Sequence, residues 1–282
     1  MAQGGREMLK DLLRVRPVFG TIIRTPAAEL VETLAGGGLD FVLLDHMHSP
    51  ASWETASSIA RAAKAMGLTA FYRPNCAPDL GGSPAYLAAQ CSRALSVGFD
   101  GLFVPVESVA DAEAIASTAE RFWQRRLHAP SDRLSSHFAE TKSQIRRELF
   151  VVAQFESVSA LEEMARVAEV DGIDALAVAN SDITVQITGG LDAQDGRVLD
   201  VIQRVEVVCR EHGLALWCNT GYGYPSVVEM VERARQLTEA GAGLVLFQSA
   251  EFILSSALRS LVGAVQSFPS RARETPNEHE VT

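Results

Sequence analysis

Eight times along this chain a short run of β-branched and aliphatic residues is followed by an alanine-rich stretch long enough to form a helix. The strand candidates are Val18–Ile23, Phe41–Leu44, Thr69–Tyr72, Gly101–Pro105, Phe150–Phe155, Ala175–Val178, Leu214–Cys218 and Gly243–Phe247. The helical stretches are Ala27–Ala35, Ser52–Met66, Pro84–Ser96, Val109–Phe122, Val158–Val167, Val198–His212, Pro225–Ala240 and Glu251–Gln266. Strictly alternating units of this kind predict a parallel sheet. Right-handed crossovers put all the helices on one side, and eight units close the sheet into a (β/α)8 TIM barrel.

Gly38-Leu39-Asp40, Gly98-Phe99-Asp100, Asp171-Gly172-Ile173-Asp174 and Gly241-Ala242-Gly243 each sit between a helix and the next strand. A glycine there supplies the positive φ that ends the helix. Strands covered on both faces need an aliphatic core, and 47% hydrophobic residues with only 7% aromatic ones supply it. Residues 1–268 are expected to form one barrel domain, and 269–282 a polar, disordered tail. Residues 122–149 read as a long polar loop with some helix near Glu140–Arg147.

A net charge of −10 with scattered basic pairs disfavours nucleic acid as a partner, and no apolar run is long enough to span a membrane. The first residues show no secretory signal. Cys76, Cys91, Cys209 and Cys218 match no metal-binding spacing and read as reduced thiols of a cytoplasmic protein.

In such a barrel the chemistry gathers where strands end. Asp45, His46 and His48 follow strand two, and Arg73 follows strand three. Strand five ends in Gln154-Phe155-Glu156, strand six in Asn180-Ser181-Asp182, and strand seven in Cys218-Asn219-Thr220. Glu156 and Asp182, with Gln154 nearby, form a hard-oxygen set suited to Mg²⁺ or Mn²⁺, with Co²⁺ as an alternative. A 2-oxo acid could chelate such a cation, which would stabilise an enolate. Arg73 could hold the oxyanion and the carboxylate, and His48, oriented by Asp45, could serve as general base. Each residue also has a plainer reading. Asp182 could cap a helix, Asp45 and Arg73 could be a structural ion pair, and His46 and His48 could be surface residues. His128, His137 and His212 read as surface residues, and Arg125, Arg126 and Arg133 as solvated arginines.

These motifs resemble those of the metal-dependent class II pyruvate aldolases of the hydroxy-oxo-acid aldolase and citrate lyase superfamily. That family shows Asp-Gly-Glu-His after strand two, where this chain has Asp45-His46-Met47-His48. Its Val-Arg-Pro corresponds to Tyr72-Arg73-Pro74, and its Val-Pro to Val104-Pro105. Its Gln-Ile-Glu corresponds to Gln154-Phe155-Glu156, and its Gly-Pro-x-Asp-Leu to Ala179-Asn180-Ser181-Asp182-Ile183. The similarity spans residues 8–265.

The resemblance implies a phosphoenolpyruvate/pyruvate-type barrel that cleaves a 4-hydroxy-2-oxo acid to pyruvate and an aldehyde. It implies Glu156 and Asp182 as metal ligands, and His48, Asp45 and Arg73 as catalytic groups. Arg73, Gln154, Ser181 and Asp182 would contact the substrate. A homohexamer is implied too, often with the last helix exchanged between subunits. The chain departs from the pattern at His46, Met47, Ala179 and Asn180. Arg121–Arg126 and a longer polar loop replace the family's Arg-Tyr-Pro-Pro and Arg-Gly-x-Gly segment. These departures keep open a related enolate enzyme, performing oxaloacetate decarboxylation or a citrate-synthase-like condensation. A non-catalytic barrel subunit is the third reading.

Overall fold

A computed structural model describes residues 8–75, 83–125, 149–190, 195–221 and 226–266. The expected helix near Glu140–Arg147, the tail after residue 268, Cys76, His128, His137, Arg126 and Arg133 lie outside the described residues.

The strands are β1 (Val18–Ile23), β2 (Phe41–Asp45), β3 (Thr69–Arg73), β4 (Gly101–Pro105), β5 (Phe150–Phe155), β6 (Ala175–Val178), β7 (Ala215–Asn219) and β8 (Leu244–Ser249). They pair in parallel in sequence order and close, β8 against β1, into the expected barrel. The helices are α1 (Leu9–Leu12), α2 (Ala28–Ala35), α3 (Trp53–Ala65), α4 (Pro84–Val97), α5 (Val109–Arg125), α6 (Met164–Ala168), α7 (Asn180–Thr188), α8 (Gly196–His212), α9 (Val227–Glu239) and α10 (Ala250–Gln266). Where one helix was expected over Val158–Val167, a 3₁₀ turn (Ala160–Glu163) runs into the short α6. Neither α1 nor α7 was foreseen.

Side chains alternate between two cores. One set faces the helices, and the other fills the barrel with Phe41, Phe71, Phe103, Phe150 and Trp217 among smaller aliphatics. The Trp217 ring lies 4.8 Å from those of Phe41 and Phe103 and 4.9 Å from that of Phe71. Small inward residues make room for these rings. A Cβ on Gly20 would lie 2.3 Å from the Phe41 ring, and one on Gly101 would lie 2.3 Å from the Phe71 ring. Beside Trp217, β6 presents Ala175 and Ala177.

The N-terminal end of the barrel is pinned by a recurring device. Gly38, Gly98, Gly172 and Gly241 all have positive φ, as the sequence predicted. In three of these turns an aspartate follows, and it grips one residue of the preceding odd strand twice. The N–H of Asp40 donates to Phe19 O (2.8 Å), while its Oδ2 accepts from Phe19 N (2.9 Å). Asp100 does the same to Ala70 (3.0 and 3.4 Å), and Asp174 to Val151 (2.8 and 2.9 Å). Arg16 then clamps Asp40 with two nitrogens at 2.6 and 2.9 Å, and Lys10 of α1 reaches Asp174 at 2.6 Å.

Candidate active site

Extending the inward-facing rows of the barrel interior by two residues carries each strand from the aliphatic core to the C-terminal mouth. On β2 the row runs Phe41, Leu43, Asp45; on β3 it runs Phe71, Arg73. Phe150 and Val152 lead to Gln154 and then Glu156, and Trp217 leads to Asn219. Asp45 and Arg73, expected just after strands two and three, are the last rungs of those strands. They face each other in register, and the N–H of His46 continues the ladder to Arg73 O at 3.1 Å.

Asp45 is fully buried and is the hub of the site. Arg73 donates to it through two nitrogens, Nε to Oδ1 and Nη2 to Oδ2, both at 2.9 Å. Arg24, just beyond β1, adds Nε at 3.2 Å from Oδ2. His48 approaches Oδ2 through Nδ1 at 2.8 Å, and its side chain is 52% exposed. Nδ1 also lies 2.8 Å from Nη2 of Arg73. A carboxylate oxygen only accepts, so we assign the proton to Nδ1, with both nitrogens donating to Oδ2. Nε2 then carries the lone pair, on an exposed side chain. Burial alone would raise the Asp45 pKa, but the charge and hydrogen bonds of Arg73 and His48 outweigh it and hold the pKa below the ordinary range.

Arg73 also reaches Glu156, with Nη1 3.6 Å from Oε1. Glu156 is pushed up to about 7, first by burial and then by the negative charges of Asp182, Glu107 and Asp45, which Arg73 only partly offsets. Carboxylates outnumber the neutralising groups on this side of the mouth. The capping reading of Asp182 fails. It is exposed in the first turn of α7, whose N-terminus receives no side-chain cap hydrogen bond. Ser157, by contrast, caps the turn after β5, accepting from Ala160 N at 3.0 Å. Ser181 is half-buried beside Asp182.

His46 is not a loose surface residue. Its Nε2 lies 2.8 Å from Ala51 O and its Nδ1 2.6 Å from the Tyr72 hydroxyl, which pins the β2–α3 loop to both neighbours. His212 is on an exposed helix surface, as expected. Cys91, Cys209 and Cys218 are buried thiols, and burial pushes Cys209 and Cys218 up to about 12. Among the described residues no helix is long and apolar enough to cross a membrane.

The sequence reading missed Arg24, Glu107 and Gln248. Arg24 directly follows β1, Glu107 lies two residues beyond β4, and the buried Gln248 ends the inward row of β8. The rule that singled out strand ends two, three, five, six and seven would have found all three had it been applied to every strand.

A cation fits this donor set. Among the described residues no three His, Cys, Asp or Glu side chains gather into a metal cage. Two carboxylates in a negatively charged mouth, with water and substrate completing the shell, nevertheless suit Mg²⁺, which keeps several of its waters. The buried Oε1 of Gln154 has no partner and could bond to such a water or to the substrate.

The sequence profile of the HpcH/HpaI aldolase/citrate lyase family matches residues 23–249. The chain belongs to this family. Its members are enzymes of the aldolase/lyase type. Among curated relatives, the 4-hydroxy-2-oxo-heptane-1,7-dioate aldolase of Salmonella dublin is 24% identical over 216 residues, 74% of this chain and 79% of the relative. Solved structures share the fold. The HpcH/HpaI aldolase of Desulfitobacterium hafniense superposes with a TM-score of 0.76 at 20% identity, covering 94% of this chain and 99% of the other. The citrate synthase SbnG gives 0.71 at 18% identity, covering 93% and 98%.

Proposed function

We propose that this family member is a divalent-metal-dependent carbon–carbon lyase that reversibly cleaves a 4-hydroxy-2-oxo acid to pyruvate and an aldehyde. The observation that carries the reading is Arg73 bridging two carboxylates, Asp45 in the His48 dyad and Glu156 in the acidic patch. Glu156 and Asp182 would hold Mg²⁺, Mn²⁺ or Co²⁺. When bound, the cation would act as a Lewis acid on the keto oxygen and favour the enolate.

The chain's own groups divide the remaining work. His48 Nε2 takes the proton of the substrate's 4-hydroxyl as the C3–C4 bond breaks, and returns a proton to C3. Asp45 holds the ring in the required tautomer and stabilises it when it is doubly protonated. Arg73, 13% exposed and fixed by Asp45, directs its remaining donors to the carboxylate and developing oxyanion. Gln154 and Ser181 add hydrogen bonds to the oxo acid.

Exchange of the pyruvate methyl protons in deuterated water tests this. It should require Mg²⁺, Mn²⁺ or Co²⁺, and His48→Ala should slow it by about 10²-fold or more. No exchange with any of these metals would sink the reading. The structural likeness to a citrate synthase favours, as a second reading, condensation or decarboxylation through the same enolate. Oxaloacetate consumption separates the two. The enzyme is further proposed to be a homo-oligomer, a hexamer by family resemblance. Leu254, Leu258, Leu261, Val262 and Val265 support this by forming an exposed apolar stripe along α10.

A further inference from the structure

Most charged groups of the mouth follow β1–β5, Asp182 in the first turn of α7 being the exception, and the β6–β7 seam beside it carries neutral side chains. Asn180, at the start of α7, is 1% exposed, and its Nδ2 donates to the main-chain O of Asn219 at 2.7 Å. That bond fixes the amide orientation, because turning it over would set oxygen against oxygen. Asn180 Oδ1 is therefore a buried acceptor, and it has no partner. Asn219 Oδ1, at the inward end of β7, is likewise buried without a partner. Two residues deeper on the same inward row, the Trp217 Nε1 donor is unpartnered as well. Each such group costs about 1–3 kcal/mol if left unsatisfied, so three along one seam call for an occupant.

We propose that this seam is the subsite for the second reactant, and that it takes an uncharged aldehyde bearing a hydroxyl group next to its carbonyl. The inference rests on the aldolase reading above. A hydroxyl brings one donor for the carboxamide oxygens and lone pairs for the indole N–H. An alkyl group would leave all three unpaired, and a terminal carboxylate would set anionic oxygens against Asn180 Oδ1 and Asn219 Oδ1. In the synthetic direction His48 Nε2 takes a proton from pyruvate C3. C3 then attacks the aldehyde carbon, one C–C bond forms, and the aldehyde oxygen receives that proton from His48.

The test uses the full chain with Mg²⁺ and pyruvate and compares kcat/KM for glycolaldehyde, propanal and succinate semialdehyde. Glycolaldehyde should exceed propanal by about tenfold or more, with succinate semialdehyde the poorest. Asn219→Leu and Asn180→Leu should each bring the glycolaldehyde-to-propanal ratio towards one. That ratio does not depend on the folded fraction, and Asn219→Ala serves as a smaller change should the leucine variants fail to fold. Pyruvate proton exchange in the wild type separates the two possible failures. Exchange without a glycolaldehyde preference, or with succinate semialdehyde preferred, overturns the subsite alone. Absence of exchange overturns both the subsite and the aldolase reading.

Discussion

At the N-terminal end of the barrel Asp40, Asp100 and Asp174 each exchange two hydrogen bonds with the backbone of the preceding odd strand. At the C-terminal end Asp45, more deeply buried than any of them, accepts from the side chains of Arg24, Arg73 and His48. A carboxylate satisfied by backbone amides fixes strand register and has little left to offer a ligand. One satisfied by side chains positions groups that still face the mouth, and it depends on their charges. On the proposed function, the same residue type thus serves stability at one end and chemistry at the other.

Exchanging one atom at each end should separate these roles most widely. Asp45→Asn removes the charge that orients His48 and fixes Arg73, and metal-dependent pyruvate exchange should fall by about 10²–10³-fold. Stability should fall too, by on the order of 3 kcal/mol, because a mostly buried guanidinium loses its counter-ion. Asp174→Asn should cost about 1–2 kcal/mol in urea unfolding while the exchange rate per folded molecule stays within a few-fold of the wild type. Equal losses of activity from both variants would remove the distinction between the ends.

The N-terminal end was the more legible in the sequence, and the reason is physical. Its glycines respond to local backbone geometry, so Gly38, Gly98, Gly172 and Gly241 announce the turns without knowledge of the rest of the fold. At the mouth, Asp45, His48, Arg73 and Glu156 were visible as polar interruptions of apolar strands. Part of their wiring was foreseen, His48 oriented by Asp45 and Asp45 paired with Arg73, but the bond of Arg24 to Asp45 and the contact of Arg73 with Glu156 were not, because they join separate strands distant in sequence. Helix α7 escaped notice because Ile183, Thr184, Val185 and Ile187 are β-branched and weak helix formers. It forms where burial of Ile183 and Thr184 overrides propensity. The partners of His46, Tyr72 and the Ala51 carbonyl, could likewise be found only in three dimensions.

A second contrast concerns pH. In the metal-free chain Glu156 is raised to about 7 from 4.5. Between those values the folded chain holds a proton that the unfolded chain releases. Its contribution to stability is therefore fully present below pH 4.5, declines as pH rises to about 7, and is lost above that. The decline should be roughly 3 kcal/mol, and Glu156→Gln should abolish it. Without metal, that variant should match the wild type at pH 4.5 and be the more stable at pH 8, and millimolar Mg²⁺ should raise only the wild type. A wild type that outlasts Glu156→Gln at pH 8 without metal would contradict the excess of negative charge inferred at the mouth.

The smallest effect should come from Lys10→Met, at the opposite end. Burial raises the pKa of Asp174 despite the opposing charge and hydrogen bond of Lys10. Without Lys10 that pKa rises further, and the group's contribution to stability is lost over a correspondingly higher pH range. The variant should therefore cost little in acid, where Asp174 is protonated in both proteins. Near pH 8 the cost should be about 1 kcal/mol, since the pair is partly solvated. Urea unfolding at pH 4 and pH 8 reads the difference, and metal-dependent exchange should be unaltered. A cost that is equal at both pH values would mean that Lys10 acts by packing over Phe150, whose ring lies 5.6 Å from its Nζ, and not through the Asp174 charge.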